Sequence, residues 1–179
     1  EMYSHLNNSG RAAIISSQGV LFREKVEHDI RKNFVDADII EAIIALPRNL
    51  FYGTGIPACI LVLNKNKPVN RKNKILFIYA TKDFESLKKR DKLRNEDIKK
   101  IVKVYEEYLE IPKYSHIADC DELEENNFNL NVPRYVDISD PEPNYDLQKE
   151  YDILKDLSEK IKTCEMQFKK DLNTLGLKI

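Results

Sequence analysis

The chain has 179 residues, 42% of them hydrophobic and 33% charged, with a formal net charge of -1. That is enough for one domain, or for part of a domain with an extension, and it leaves some helix or loop solvated. No apolar run approaches the ~20 residues of a membrane-spanning helix, and no secretory leader is expected. Cys59, Cys120 and Cys164 are too scattered for a disulfide framework or a zinc site, so a reducing, cytoplasmic setting without membrane or metal is expected.

Glu1 to Leu6 reads as the end of a helix stopped at Asn7-Asn8-Ser9-Gly10, which suggests that the chain begins inside a longer protein. Arg11-Ala12-Ala13-Ile14-Ile15 predicts a short buried strand, left through the loop Ser16-Ser17-Gln18-Gly19. Val26, Ile30 and Phe34 recur at four-residue spacing and predict an amphipathic helix over 24–34. Asp38 to Leu46 predicts a strand ended by Pro47, and Ala58 to Leu63 an unbroken apolar strand. The two read as a β-hairpin with an unusually elaborate connection, Asn49-Leu50-Phe51-Tyr52-Gly53-Thr54-Gly55-Ile56-Pro57. Lys74 to Tyr79 predicts a further strand, after which strand signals stop. Asn95-Glu96-Asp97 opens a helix with Ile98, Ile101, Val102 and Tyr105 on one face, ended by Pro112. Residues 113–144 read as an irregular acidic connector, with Pro141 and Pro143 marking a linker. From 145 to 179, Leu147, Tyr151, Leu154, Ile161, Phe168 and Leu172 follow alternating four- and three-residue steps. That is a coiled-coil-like seam, interrupted by Ser158 and Glu165, with Gly176 as a C-cap. One helix cannot bury such a stripe alone. It either folds back on its own domain or meets another chain.

Charge is unevenly placed. Residues 63–103 hold 14 Lys/Arg against 5 Asp/Glu, and residues 104–171 hold 8 against 18. The basic stretch suits a phosphate backbone, with Lys65, Lys67, Arg71 and Lys72 as candidate DNA contacts; a solvated face is the plainer alternative. Glycine-rich nucleotide loops and the common hydrolase motifs are absent, His5, His28 and His116 are far apart, and no catalytic residue is assigned. The loop with Phe51 and Tyr52 stands out, because two aromatics beside a Gly-Thr-Gly turn offer a face to a flat ligand such as an unstacked base. The alternative, Phe51 as a core plug with Gly53 and Gly55 permitting the turn and Pro57 ending it, stays open on composition alone.

Four segments together look like landmarks of one family: Gly10-Arg11-Ala12-Ala13-Ile14-Ile15, Gly19-Val20-Leu21-Phe22-Arg23, Leu46-Pro47 through Leu63, and Asn129-Leu130-Asn131-Val132-Pro133-Arg134-Tyr135. Their order and spacing resemble the modification subunits of type I restriction-modification systems, which are adenine-specific DNA N6-methyltransferases. The resemblance spans about residues 1–140, and Ser16-Ser17-Gln18 departs from the family's usual loop. It implies an α/β fold: the C-terminal part of a Rossmann-like, AdoMet-dependent methyltransferase sheet with a terminal β-hairpin (1–112), then the connector (113–144) and a subunit-contact helix (145–179). It implies methyl transfer from S-adenosylmethionine to adenine N6, with Phe51, and Tyr52 as second candidate, stacking on the extruded base. The family's glycine loop and Asn-Pro-Pro-aromatic motif have no counterpart here, so this part alone is expected to be inactive and to hold no cofactor. The implied partners are DNA, a specificity subunit, a second modification subunit and, in the full assembly, a restriction subunit. The rival readings are a methyltransferase of the same fold acting on another nucleic acid or on DNA without a specificity subunit, and a non-catalytic nucleic-acid or protein interaction module on a remnant methyltransferase fold.

Overall fold

A computed structural model describes residues 3–88, 90–139 and 146–174. The chain divides into two compact units, residues 1–139 and 140–179, each described by itself.

In chain order the first unit contains a 3-10 turn (Tyr3–His5), β1 (Arg11–Ser17), a 3-10 turn (Gln18–Leu21), α1 (Val26–Asp36), β2 (Ile40–Ala45), β3 (Ala58–Asn64) and a 3-10 turn (Val69–Arg71). There follow β4 (Lys74–Tyr79), the short pair β5 (Glu85–Ser86) and β6 (Asp91–Lys92), α2 (Asn95–Glu107), β7 (Ser115–Asp119), α3 (Cys120–Glu125) and a 3-10 turn (Val132–Arg134). Five strands make one mixed sheet in the order β1-β3-β2-β4-β7. β2 and β4 are parallel, and β3 lies antiparallel between β1 and β2, so the expected hairpin across the aromatic loop is present.

β2 is buried along its whole length, Glu41 included, because both faces of the sheet are covered there. Successive side chains point to opposite faces, so Ile43 and Ala45 join one core with Leu21, Val35, Leu123, Leu130, Val132 and Tyr135. Ala42, Ile44 and Leu46 join the other, with Ile101, Val104 and Tyr114. α2 therefore covers one face, while α1, α3 and the Val132–Arg134 turn cover the other.

Several expectations are corrected. β1 is an edge strand of alternating exposed and half-buried residues, not a buried one. The stripe of α1 is rotated: Val26 is 71% exposed, while Arg31 and Val35 face inward. Arg31 is tolerated there because its guanidinium donates to the carbonyls of Phe128, Val20 and Arg23. On α2 the buried positions are Asp97, Ile101 and Val104, with Ile98 and Val102 exposed. Residues 113–139 are not an irregular connector. They add β7 to the sheet against β4, and they supply Leu123, Phe128, Leu130, Val132, Tyr135 and Val136 to the core. Tyr135 stacks on Phe77 at 3.9 Å between ring centroids, and its hydroxyl donates to Asn129 O at 2.7 Å. Most of the Asn129–Tyr135 landmark is thus structural, sealing one face of the sheet.

The second unit is α4 (Leu147–Thr174), 28 residues with none buried. Asp146 caps it, its carboxylate accepting from the Gln148 and Lys149 N–H groups. Pro141, Pro143 and Gly176 lie outside the described residues.

Candidate functional site

The site is built by the connection from β2 to β3. At its base, Leu46 N–H donates to Ala58 O at 2.9 Å, and Gln18 N–H to Pro57 O at 3.2 Å, which ties the loop to the end of β1. Asn49 and Gly53 take positive φ of 54° and 75°, a conformation with least strain at Gly and Asn. Gly55 differs: a Cβ there would come within 2.8 Å of Asn49 Oδ1, so the Asn49 side chain would have to shift. Thr54 Oγ1 accepts from Ile56 N–H at 3.2 Å, tightening the tip.

This local geometry leaves the aromatics outward. Phe51 is 40% exposed and Tyr52 82%, and neither ring belongs to either core. The loop's ends line a cleft of about 500 Å³ at the carboxyl ends of β2 and β4, marked by Ala45 and Tyr79. Open α/β sheets bind ligands at that end of their parallel strands. Arg48, Asn49 and Pro57 come from the loop, Gln18 from the turn after β1, and Asp91 from β6. Phe84 and Pro133 supply apolar walls. Of the residues singled out by sequence, only Pro57 lines the cleft. Phe51 and Tyr52 sit on the loop that bounds it, and Gln18, Arg48, Asn49, Phe84 and Asp91 were not anticipated. Arg48 and Asn49 lie inside the landmark that runs from Leu46 to Leu63, which was the available signal.

The candidate phosphate contacts divide sharply. Lys67 is 4% exposed and is held between the Asp38 carboxylate and Lys74 O. Arg71 pairs at 3.1 Å with Glu41, a carboxylate with no exposed surface, and also donates to Glu106 O. Glu41 accepts further bonds from Asn64 Nδ2 and the Tyr105 hydroxyl, at 3.0 and 2.7 Å. Burial, reinforced by the bond to Glu41, pushes the Tyr105 hydroxyl pKa up to about 12. Buried charges persist only when paired in this way, so Lys67 and Arg71 are committed to the fold and present no free cation to a phosphate. Lys65 donates to Leu6 O and lies 4.5 Å from the Tyr3 ring centroid. Lys72 alone of the four is exposed without such an engagement among the described residues.

Beside the aromatic loop, the β5–β6 hairpin packs inward. Asp91 N–H donates to Asn49 O at 3.1 Å, and the Arg90 guanidinium lies 4.3 Å from the centroid of the Tyr52 ring. On α4, Leu147, Tyr151, Leu154, Ile161 and Phe168 are exposed and Leu172 is half-buried.

Residues 1–143 match the family model described as N-6 DNA Methylase. The type I restriction enzyme MjaVIII methylase subunit of Methanocaldococcus jannaschii is 42% identical over 150 residues, covering 82% of this chain and 26% of that protein. The MpnII methylase subunit of Mycoplasma pneumoniae is 34% identical over 179 residues, covering 96% and 33%. Among solved structures, a type I restriction-modification system methyltransferase subunit from Streptococcus thermophilus matches with a TM-score of 0.71 at 40% identity, covering 75% of this chain and 28% of that one. The chain thus spans about a quarter to a third of the length of the relatives it matches.

Proposed function

This chain belongs to the N-6 DNA methylase family, and from that premise we propose that it is the C-terminal part of a type I methylase subunit that transfers a methyl group from S-adenosylmethionine to adenine N6 in DNA. The observation that carries the reading is the outward presentation of Phe51 and Tyr52 on the β2–β3 loop, beside a cleft at the ligand-binding end of the sheet. An enzyme that acts on a base within a duplex must unstack it and give its face a new partner. Phe51 is the stacking residue in this reading. Arg48, Asn49 and Asp91 provide the polar edge that an adenine's nitrogens require.

The described residues at the cleft do not supply the groups of a cofactor site. S-adenosylmethionine needs a glycine-rich turn that lets backbone approach it and a carboxylate for its ribose. In the described sheet the strand ends at the cleft carry Ala45-Leu46 and Tyr79-Ala80 instead. In this proposal the methyl donor is held by the remainder of the subunit, on the continuation of a Rossmann-like sheet beyond β1. No described strand pairs with the outer edge of β1, which supports that continuation. The exposed stripe of α4 contacts the specificity subunit, helix against helix, in an assembly with a second methylase subunit.

Two measurements test this. The complete subunit, assembled with its specificity partner, is expected to transfer labelled methyl groups to adenine N6 in a target duplex. The 179-residue chain alone is expected to give no saturable calorimetric signal with S-adenosylmethionine. A clear isotherm from the chain alone overturns the division of labour, and transfer to another nucleic acid in preference to DNA overturns the substrate.

A further inference from the structure

The basic stretch of the sequence does not hold its cations in one way. Lys65, Lys67 and Arg71 are spent on the fold, whereas Lys88 and Lys92 on the β5–β6 hairpin are exposed and make no ion pair or hydrogen bond among the described residues. Lys92 lies opposite Glu85 in register, and still no ion pair joins them. Leu87 N–H donates to Arg90 O at 3.2 Å, and with the β5–β6 pairing this puts Lys88 and Lys92 on one short finger. The finger is fastened to the aromatic loop twice: by the Asp91 N–H to Asn49 O bond, and by the Arg90 guanidinium over the Tyr52 ring. Its other anionic side chain, Asp91, lines the cleft. A two-residue strand pair is too short to be stable by itself, so these two attachments define where the finger stands.

We propose that the β5–β6 hairpin is a phosphate-binding finger: Lys88 and Lys92 hold the DNA backbone phosphates flanking the extruded adenine, and the Arg90–Tyr52 stack fixes the finger to the base-stacking loop. The proposal rests on the DNA-methyltransferase reading above and deepens it. A nucleotide that leaves the helix swings about its own backbone, so its flanking phosphates must be gripped close to the pocket that receives the base. Here the grip and the stacking loop share a backbone hydrogen bond, and two free cations, Lys88 and Lys92, sit on the element that touches the loop. Phosphate contacts of this kind position the strand and carry no sequence information, which suits an enzyme whose target choice lies elsewhere.

The test uses the complete methyltransferase assembly and a target duplex with 2-aminopurine in place of the target adenine, a probe that fluoresces when unstacked. Lys88→Gln with Lys92→Gln should make the slope of log affinity against log salt shallower by about 1.8, so that a fourfold rise in salt costs the variant about 12-fold less affinity than it costs the wild type. The unfolding midpoint should not move, since neither side chain is engaged. Arg90→Lys keeps the charge but loses the planar stack, and should retain the wild-type salt slope while lowering the 2-aminopurine signal. A wild-type slope in the double variant, from an assembly that methylates normally, overturns the finger alone. An Arg90→Lys protein with full 2-aminopurine signal overturns the coupling to Tyr52. A wild-type assembly with no DNA-dependent methyl transfer overturns the underlying reading and the finger with it.

Discussion

Replacing Phe51 with alanine separates a stacking ring from a structural one. The ring is 40% exposed, so folding removes roughly three fifths of its surface from water. Complete burial of such a side chain contributes about 1.5–3 kcal/mol, which scales to about 1–2 kcal/mol here. No cavity is left, because the ring belongs to neither core. A core phenylalanine would instead cost about 3–5 kcal/mol. Stacking of an aromatic side chain on a base contributes about 1–3 kcal/mol. If Phe51 receives the extruded adenine, that loss lowers kcat/KM about 5- to 150-fold, since each 1.36 kcal/mol is a factor of ten. Phe51→Trp preserves a π-face and should recover most of the rate. The assays are denaturant unfolding and steady-state methyl transfer on the same preparations of the assembled enzyme, with 2-aminopurine fluorescence reporting extrusion. A loss of about 3–5 kcal/mol in stability with unchanged kcat/KM of the folded fraction would place the ring in the core and refute the argument.

Arg71→Met should destabilise the sheet by about 3–5 kcal/mol, because it leaves the Glu41 carboxylate buried without its cation; the slope of DNA affinity against salt should stay as in the wild type, and a shallower slope would restore Arg71 as a phosphate contact. His116, on β7, is hydrogen-bonded to Glu110 at 2.9 Å and Glu122 at 2.8 Å. Burial lowers its pKa, but the bonds to Glu122 and Glu110 outweigh that and raise it overall. The protonated ring therefore contributes stability that is fully present below the ordinary histidine pKa of about 6.5 and is lost as pH rises through the elevated value. Unfolding midpoints taken from pH 6 to 9 should show that decline in the wild type and a flatter profile in His116→Gln; identical profiles would remove the ion-pair account. Leu154→Asp with Ile161→Asp, both exposed on α4, should abolish pull-down with the specificity subunit and leave the circular dichroism of the sheet intact. Wild-type assembly of that variant would remove α4 from the interface.

What the linear order could determine here was local. The apolar residues of β2 and β3 and the turn chemistry of Gly53 and Gly55 lie within twenty-odd consecutive residues, and the hairpin they predict is the one that forms. The long unbroken helix of α4 is equally local, since backbone bonds within one segment make it. Only the tertiary structure decided the rest. A run of lysines and arginines gives a charge, but not which cation meets a carboxylate 29 or 30 residues away. Asp38 and Glu41 took Lys67 and Arg71 out of contention, while Lys72, Lys88 and Lys92 stay exposed and unengaged among the described residues. Residues 113–139 lack a clear period because β7, α3 and the Val132–Arg134 turn are too short to repeat one. Their burial is set by β4, Phe77 and Leu21, partners distant along the chain. The side of α1 that faces inward was chosen by the carbonyls of Phe128, Val20 and Arg23. They accept from Arg31 Nε and Nη1, and so an arginine is buried on a helix whose Val26 meets solvent.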